Sequence, residues 1–356
     1  MAAKILLQVT RIRYETPDAK TLFLKTTDGT AIVYEAGQFI TFLFQRHQKE
    51  VRRSYSISSS PDVDDELSIT VKREVNGDIS RFLVDEVGAG QILEALYPSG
   101  IFTIAYQTHS ARDIFLVAGG SGIAPIYSLL KSVLIKEPQS KITLLYSNHD
   151  ESRTIFYHQL RQLQHAHPSQ LEIEFLFSNH RSVLKARLSA TSLEMLLNRH
   201  LHFTRETALV YTCGPFGLMQ TTQIVALSQG FNKDNIRKEI FTGDAATISS
   251  NLFFDHTDRE ISLTYMGKLF HLLIAYNQTI LHVALKNGID LPYSCKAGKC
   301  SACKVRLVKG KVWMHYNEVL TGKDEANGWV LTCTGHPVTE DVELNADSSQ
   351  ETTPGL

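Results

Sequence analysis

Four cysteines near the carboxyl end restrict this chain more than any other feature. They are Cys295, Cys300, Cys303 and Cys333, spaced C-x4-C-x2-C with 29 residues before the last. All four fall within the last 62 of 356 residues, and the fifth, Cys213, stands apart. So uneven a distribution reads as metal binding, not as a disulfide framework. A structural zinc site usually pairs two short C-x2-C units, and only one occurs here. Three thiolates on one compact loop, with a fourth from a separate strand end, suit a [2Fe–2S] cluster of the plant ferredoxin type. Gly298 inside the loop lets backbone amides approach the sulfurs and tune the potential.

The remaining chain is long enough for two further domains. An apolar fraction of 43% and a charged fraction of 21% are those of globular proteins with real cores. The net charge of −1 supplies no field for nucleic acid or anionic lipid, so neither is expected as a partner. No apolar run approaches the ~20 residues of a membrane helix. The opening MAAKILLQVT is too short in apolar residues for a signal peptide, and a cytoplasmic location is expected.

Residues 1–107 carry short alternating runs (LLQVTRI, TLFLKTT, FITFLFQ, ELSITVKRE, IFTIAY) broken by glycine and proline, which predicts an antiparallel β-barrel. Residues 108–241 alternate strands and helices: IFLVAGG, a helix with Pro125 in its first turn, KITLLYS, a helix marked by Phe156, Leu160 and Leu163, LEIEFLFS, ALVYTCG, a helix closed by Gly230, and NIRKEIF. That order implies an α/β domain on a parallel sheet. The stretch 242–258 reads as a linker. Residues 259–348 open with a hairpin turning at Gly267 and a short helix closed by Gly288. The cysteine loop, the strand KVRLVKG and a last strand near VELNA follow. The polar tail, 349–356, reads as frayed.

Two motifs of the middle region carry chemistry. AGGSGIAP (118–125) follows a buried strand and opens a helix, where amides and the helix dipole can face a pyrophosphate. It departs from G-x-G-x-x-G, and by itself a glycine-rich turn serves packing as readily as binding. Cys213-Gly214-Pro215 ends another strand of the same sheet, on the side where open α/β sheets bind ligands. A small buried core cysteine is the other reading of Cys213.

Together with Arg53-Ser54-Tyr55-Ser56, these motifs resemble those of ferredoxin–NADP reductase-like flavoproteins. The order of flavin barrel, nucleotide domain and ferredoxin is similar to that of the phenylacetyl-CoA epoxidase reductase subunits and related oxygenase reductases. The resemblance spans essentially the whole chain and implies an FAD-binding β-barrel, an NAD(P)-binding α/β domain and an α+β domain of the β-grasp type. It also implies roles for particular residues. Arg53 would neutralise the flavin pyrophosphate, Tyr55 would stack on the isoalloxazine, and Ser56 would hydrogen-bond near flavin N5. Gly77, Ile79 and Ser80 of GDIS, with Val71 and Lys72, would form a second pyrophosphate motif. Gly119, Gly120, Ser121 and Gly122 would carry the dinucleotide phosphates. Cys213, with Gly214 and Pro215, would border the nicotinamide, and Glu239 and Phe241 would reach the flavin. Ser56, Cys213 and Glu239 are the candidate catalytic residues.

Two departures stand out. Asn148-His149 replaces the Asn-Arg of many relatives after the second strand, with Arg153 four residues on, so NADH and NADPH both stay open. Lys296 and Lys299 flank the cluster cysteines, where free ferredoxins tend to be acidic.

The implied cofactors make a circuit. NAD(P)H yields two electrons as hydride, a [2Fe–2S] cluster takes one at a time, and a flavin handles both, so FAD belongs between them. FMN is the minor alternative. The expected activity is an NAD(P)H-dependent reductase whose cluster serves an oxygenase or hydroxylase component. Phenylacetyl-CoA epoxidase comes first, and a ring- or steroid-hydroxylating oxygenase or a desaturase is the alternative. A non-catalytic redox sensor and a zinc-stapled binding module are the readings from other classes. A visible absorption spectrum separates the last of these: flavin and iron–sulfur bands are expected, and a colourless zinc protein would overturn the circuit.

Overall fold

A computed structural model describes residues 4–46, 48–180, 188–241 and 257–347. The expected tail, and the expected linker apart from its last two residues, lie outside them. By internal contacts, residues 5–241 form one unit and the described residues 257–347 belong to another.

The first unit begins with β1 (Lys4–Thr16), β2 (Ala19–Thr26), β3 (Phe39–Arg46), β4 (Lys49–Ser56), β5 (Leu67–Lys72) and β6 (Ile92–Leu96). They form one sheet in the order β4-β3-β6-β1-β2-β5. The pairings of β1 with β2, β2 with β5, and β3 with β4 and β6 are antiparallel. Just past β4, Ile57 bridges Ile69 of β5, and the Ser58 N–H donates to the Ser68 carbonyl at 2.8 Å. The two edge strands therefore meet and the sheet closes into a barrel, which protects edges that would otherwise seek partners. Leu7, Leu22, Ile40, Phe42, Ile57 and Ile69 fill its interior. A four-residue helix, α1 (Asp78–Arg81), runs on into a π-turn over Phe82–Glu86.

The same unit continues as an α/β domain: β7 (Asp113–Gly119), α2 (Ile123–Lys136), β8 (Lys141–Asn148), α3 (Tyr157–Ala166), β9 (Leu171–Phe177), α4 (Ala190–Arg199), β10 (Leu209–Cys213), α5 (Phe216–Ser228) and β11 (Ile236–Glu239). The sheet is parallel, in the order β11-β10-β7-β8-β9. Every residue of β7 is buried, as a central strand covered on both faces must be. The chain lays down β8 and β9 on one side of β7, then crosses to place β10 on the other. The reversal between β7 and β10 opens the crevice in which sheets of this kind bind ligands.

In the second unit β12 (Arg259–Tyr265) and β13 (Lys268–Ile274) form the expected hairpin, and α6 (Ile280–Lys286) follows. Then come β14 (Lys304–Lys309), β15 (Val312–Met314), α7 (Gly322–Ala326), β16 (Trp329–Leu331), β17 (Gly335–Pro337) and β18 (Glu343–Asn345). The main sheet runs β13-β12-β18-β14-β16, with β15 and β17 paired beside it.

Sequence periodicity does not announce α4, α7 or the three-residue strands β15, β16 and β17, because elements this short or this mixed in polarity carry little pattern. Phe156 sits just outside α3, at φ +62°, with its ring stacked on Tyr127 at 4.3 Å.

The crevice demands glycine at one position above others. A Cβ on Gly122 would lie 2.2 Å from the Cys213 carbonyl oxygen, so the β7 turn and the β10 end approach backbone to backbone. Gly122→Ala is expected to destabilise the first unit by about 1–3 kcal/mol, since no flexible side chain can move aside. A denaturation midpoint equal to that of the unaltered protein would refute this.

Candidate active site and metal centre

Period-two alternation along β4 puts Arg53 and Tyr55 on one face and Ser56, its last residue, on the other. Arg53 is an exposed residue, and its guanidinium donates to the Arg52 carbonyl at 2.8 Å. Tyr55 is half-buried with its ring 6.1 Å from that of Phe42, and burial pushes its phenol well above the usual range. A cation and an aromatic side chain on one barrel face suit a flavin nucleotide. Gly77 caps α1, and the Ser80 hydroxyl accepts from the Glu74 N–H and donates to the Gly77 carbonyl, both at 3.1 Å. The side chains of Val71 and Ile79 are core residues of the barrel, leaving only their backbone for a ligand. Lys72 stands 3.9 Å from Asp18.

Ser56 leads to the second half of the site. Its hydroxyl donates to Glu239 Oε2 at 2.9 Å, across 183 residues of sequence. Glu239 lies opposite Cys213 in the β10–β11 register, and Cys213 opposite Ala118 in the β10–β7 register. The three expected catalytic residues thus converge from the barrel and two strand ends at the crevice. Glu239 keeps part of its surface exposed, but its carboxyl lies in the enclosed part. Burial there drives the carboxyl up to about 8, with the Ser56 hydroxyl opposing the shift. Burial, and then the Glu239 carboxylate, push the Cys213 thiol well above its ordinary value. Both shifts favour the protonated, uncharged forms of these two groups. Phe241 follows and is 47% exposed.

The glycine turn divides its labour. Gly119 packs against Pro215 and Gly122 against Cys213, while a Cβ on Gly120 would meet nothing within 4 Å. Gly119 and Gly122 therefore serve the packing reading, and Gly120 and Ser121 present the open turn. Gly214 lies against the Gly119 backbone, 2.9 Å from where its Cβ would be.

Asp150, passed over in the sequence, organises the end of β8. Its carboxylate accepts from the Ser152 hydroxyl at 2.6 Å and the Arg153 N–H at 3.0 Å, and these bonds hold its pKa low. His149 and the Arg153 guanidinium both stand 3.9 Å from it. The signal was a local one, an Asp followed within three residues by amide donors in a turn.

In the second unit the cysteine loop wraps its own sulfurs. The N–H groups of Ala297 and Lys299 donate to Cys295 Sγ, that of Cys295 to Cys300 Sγ, and that of Gly298 to Cys333 Sγ, each at 3.4 Å. Gly298, at φ +68°, is held 2.6 Å from the Tyr316 carbonyl by the measure of a Cβ it lacks. The thiols interact two and two, Cys295 with Cys300 and Cys303 with Cys333. Such pairing fits two irons with two thiolates each, and the amides supply the hydrogen bonds a charged cluster requires. Cys303 and Cys333 are buried, whereas Cys295 and Cys300 are partly exposed.

Comparison with known proteins agrees with this layout. Residues 7–104 match the oxidoreductase FAD-binding domain, 116–223 the oxidoreductase NAD-binding domain, and 265–338 the 2Fe-2S iron-sulfur cluster binding domain. The fold is that of phthalate dioxygenase reductase (TM-score 0.59, 24% identity, 96% of this chain and 98% of that one). The chain is 32% identical over 353 residues to the ferredoxin reductase component of 3-ketosteroid-9-alpha-monooxygenase from Mycolicibacterium smegmatis, with 96% of each covered. It is 29% identical over 348 residues to one of the polypeptides of 1,2-phenylacetyl-CoA epoxidase from Escherichia coli, covering 96% of this chain and 97% of that one. The protein is an FAD- and NAD-binding oxidoreductase with a [2Fe–2S] domain. It belongs to the family of ferredoxin reductase components of oxygenases. Among the described residues no helix is long and apolar enough to cross a membrane.

The Glu239 carboxyl generates a pH prediction. Below about pH 4.3 it is protonated in folded and unfolded chains alike, and its contribution to stability is complete. As pH rises, the unfolded chain loses the proton first, so the contribution declines and is gone above the folded value of about 8. Glu239→Gln, a permanent neutral mimic, is expected to flatten the fall in denaturation midpoint across this window. An unchanged slope in the variant would refute the assignment.

Proposed function

We propose that electrons enter at the crevice bounded by Ser56, Cys213 and Glu239 and leave from the cysteine loop toward an oxygenase component. The convergence of those three residues, 183 positions apart at its widest hydrogen bond, is the observation that carries the reading. Bound between nicotinamide and cluster, FAD would take up hydride and release single electrons. The chain's own residues position and insulate. Arg53 neutralises a pyrophosphate, Tyr55 offers an aromatic face, and Ser56 holds a hydroxyl at the crevice. Gly120 and Ser121 present the turn to the dinucleotide, and Cys213 and Glu239 keep the hydride path largely free of charge. Cys295, Cys300, Cys303 and Cys333 hold the cluster. The domain limits of 1–107, 108–241 and 259–348 belong to the same proposal.

NADH is the proposed donor. Asp150, kept ionised at the end of the second strand of the sheet, suits a ribose 2′-hydroxyl and repels a 2′-phosphate. Steady-state kcat/KM is expected to be higher with NADH than with NADPH, and Asp150→Asn is expected to narrow the ratio. A wild-type preference for NADPH would reverse this choice.

The proposed partner is the oxygenase of a phenylacetyl-CoA epoxidase. The 32% identity to a ketosteroid monooxygenase component favours a steroid hydroxylase as the second reading. Reconstitution with each oxygenase, followed by product formation, decides between them. Cys333→Ser is expected to abolish cytochrome c reduction while leaving ferricyanide reduction at the flavin largely intact. Loss of both together, in a variant that still binds flavin, would sink the two-port arrangement.

A further inference from the structure

The cluster loop carries charge of one sign. From residue 291 to residue 304 there are three lysines, Lys296, Lys299 and Lys304, and no carboxylate. Lys296 follows Cys295 and Lys299 precedes Cys300, so both flank the two partly exposed cluster ligands. Their ammoniums rest on aromatic faces, Lys296 Nζ 4.3 Å from the Tyr293 ring centroid and Lys299 Nζ 5.9 Å from that of Tyr316. Among the described residues neither ammonium has a carboxylate in ion-pair range. Glu318 belongs to the same rim and accepts from the Tyr316 hydroxyl at 2.9 Å. Lys304 sits apart over Trp329, at 4.5 Å.

Electron transfer weakens steeply with distance, so the side with exposed ligands is the exit. Two cations set beside tyrosines at that exit, with no carboxylate in ion-pair range among the described residues, would be a liability against a basic partner and an aid to an acidic one. The whole unit offers no such bias: residues 257–347 hold ten Lys and Arg and ten Asp and Glu. The positive rim is therefore local to the cluster.

We infer that the oxygenase component accepting these electrons presents an acidic face, steered onto the cluster by Lys296 and Lys299. This rests on the proposed reductase function and adds the chemistry of the partner's surface. Held by Cys295, Cys300, Cys303 and Cys333, a reduced cluster would give up one electron per encounter and the acceptor would gain that one.

The test uses the full-length holoprotein, reduced anaerobically with NADH and mixed with two acceptors of opposite charge. These are tris(oxalato)cobaltate(III), an anion, and cytochrome c, a basic protein. Reoxidation of the cluster is followed by its own visible absorption. Oxidation by the anionic complex should slow as salt rises, and oxidation by cytochrome c should quicken. The double variant Lys296→Glu with Lys299→Glu should exchange these trends and lower the anionic rate about tenfold at low salt. Lys296→Gln with Lys299→Gln, less disturbing to the loop, should fall between. A salt response of the same sign for both acceptors, or rates unchanged by either variant, would overturn the inference. If NADH fails to reduce the cluster at all, the reductase function itself fails. If the cluster is reduced but shows no charge preference, only the acidic partner is lost.

Discussion

The approach of two backbones at the end of the nucleotide sheet governs the flavoprotein half of this molecule. Gly122 meets the Cys213 carbonyl where a Cβ would stand 2.2 Å away, and Gly214 lies against Gly119 in the same manner. Because those glycines consume the space between β7 and β10, the turn at Gly120 and Ser121 is pushed outward as the open part of the loop. The same contact holds Cys213 fully buried at the core end of β10 and, through the β10–β11 register, sets Glu239 beside it. From there the hydrogen bond to Ser56 adds to other bonds between barrel and nucleotide domain, among them Ser60 with Ser132 and Gln159 with Glu15.

That junction is polar in composition and nearly neutral in charge. Burial raises the pKa of the carboxyl, and the thiol beside it follows for the same reason. Neutrality here follows from burial, and burial follows from the packing of the glycine turn.

The second unit solves the opposite problem. A cluster with four thiolates concentrates negative charge, and the chain answers with amides drawn from its own loop. Gly298 is what allows the loop to turn inward, because the Tyr316 carbonyl leaves no room for a side chain. On the same turn Lys296 is exposed and Lys299 partly so. One loop therefore stabilises the cluster with its backbone and presents cations to the outside with its side chains.

Much of this was legible in the amino-acid order. Cysteine spacing is a covalent pattern that does not depend on folding, so the [2Fe–2S] domain matched over residues 265–338 could be expected from the spacing of Cys295, Cys300, Cys303 and Cys333. Strand and helix periodicity gave the barrel, the parallel sheet and the β12–β13 hairpin. What periodicity could not reveal was proximity. Ser56, Cys213 and Glu239 were separate motifs until the sheet reversal brought them together. The two functions within AGGSGIAP, packing for Gly119 and Gly122 and an open turn at Gly120, depend on the Cys213 and Pro215 backbones nearly a hundred residues away. The charge state of Glu239 and the cap formed by Asp150 are likewise properties of neighbours. Sequence determined which chemistry the chain can hold, because ligand types and spacings are local. Tertiary structure alone decided which residues share a site and whether they carry charge, because burial and distance are set by the fold.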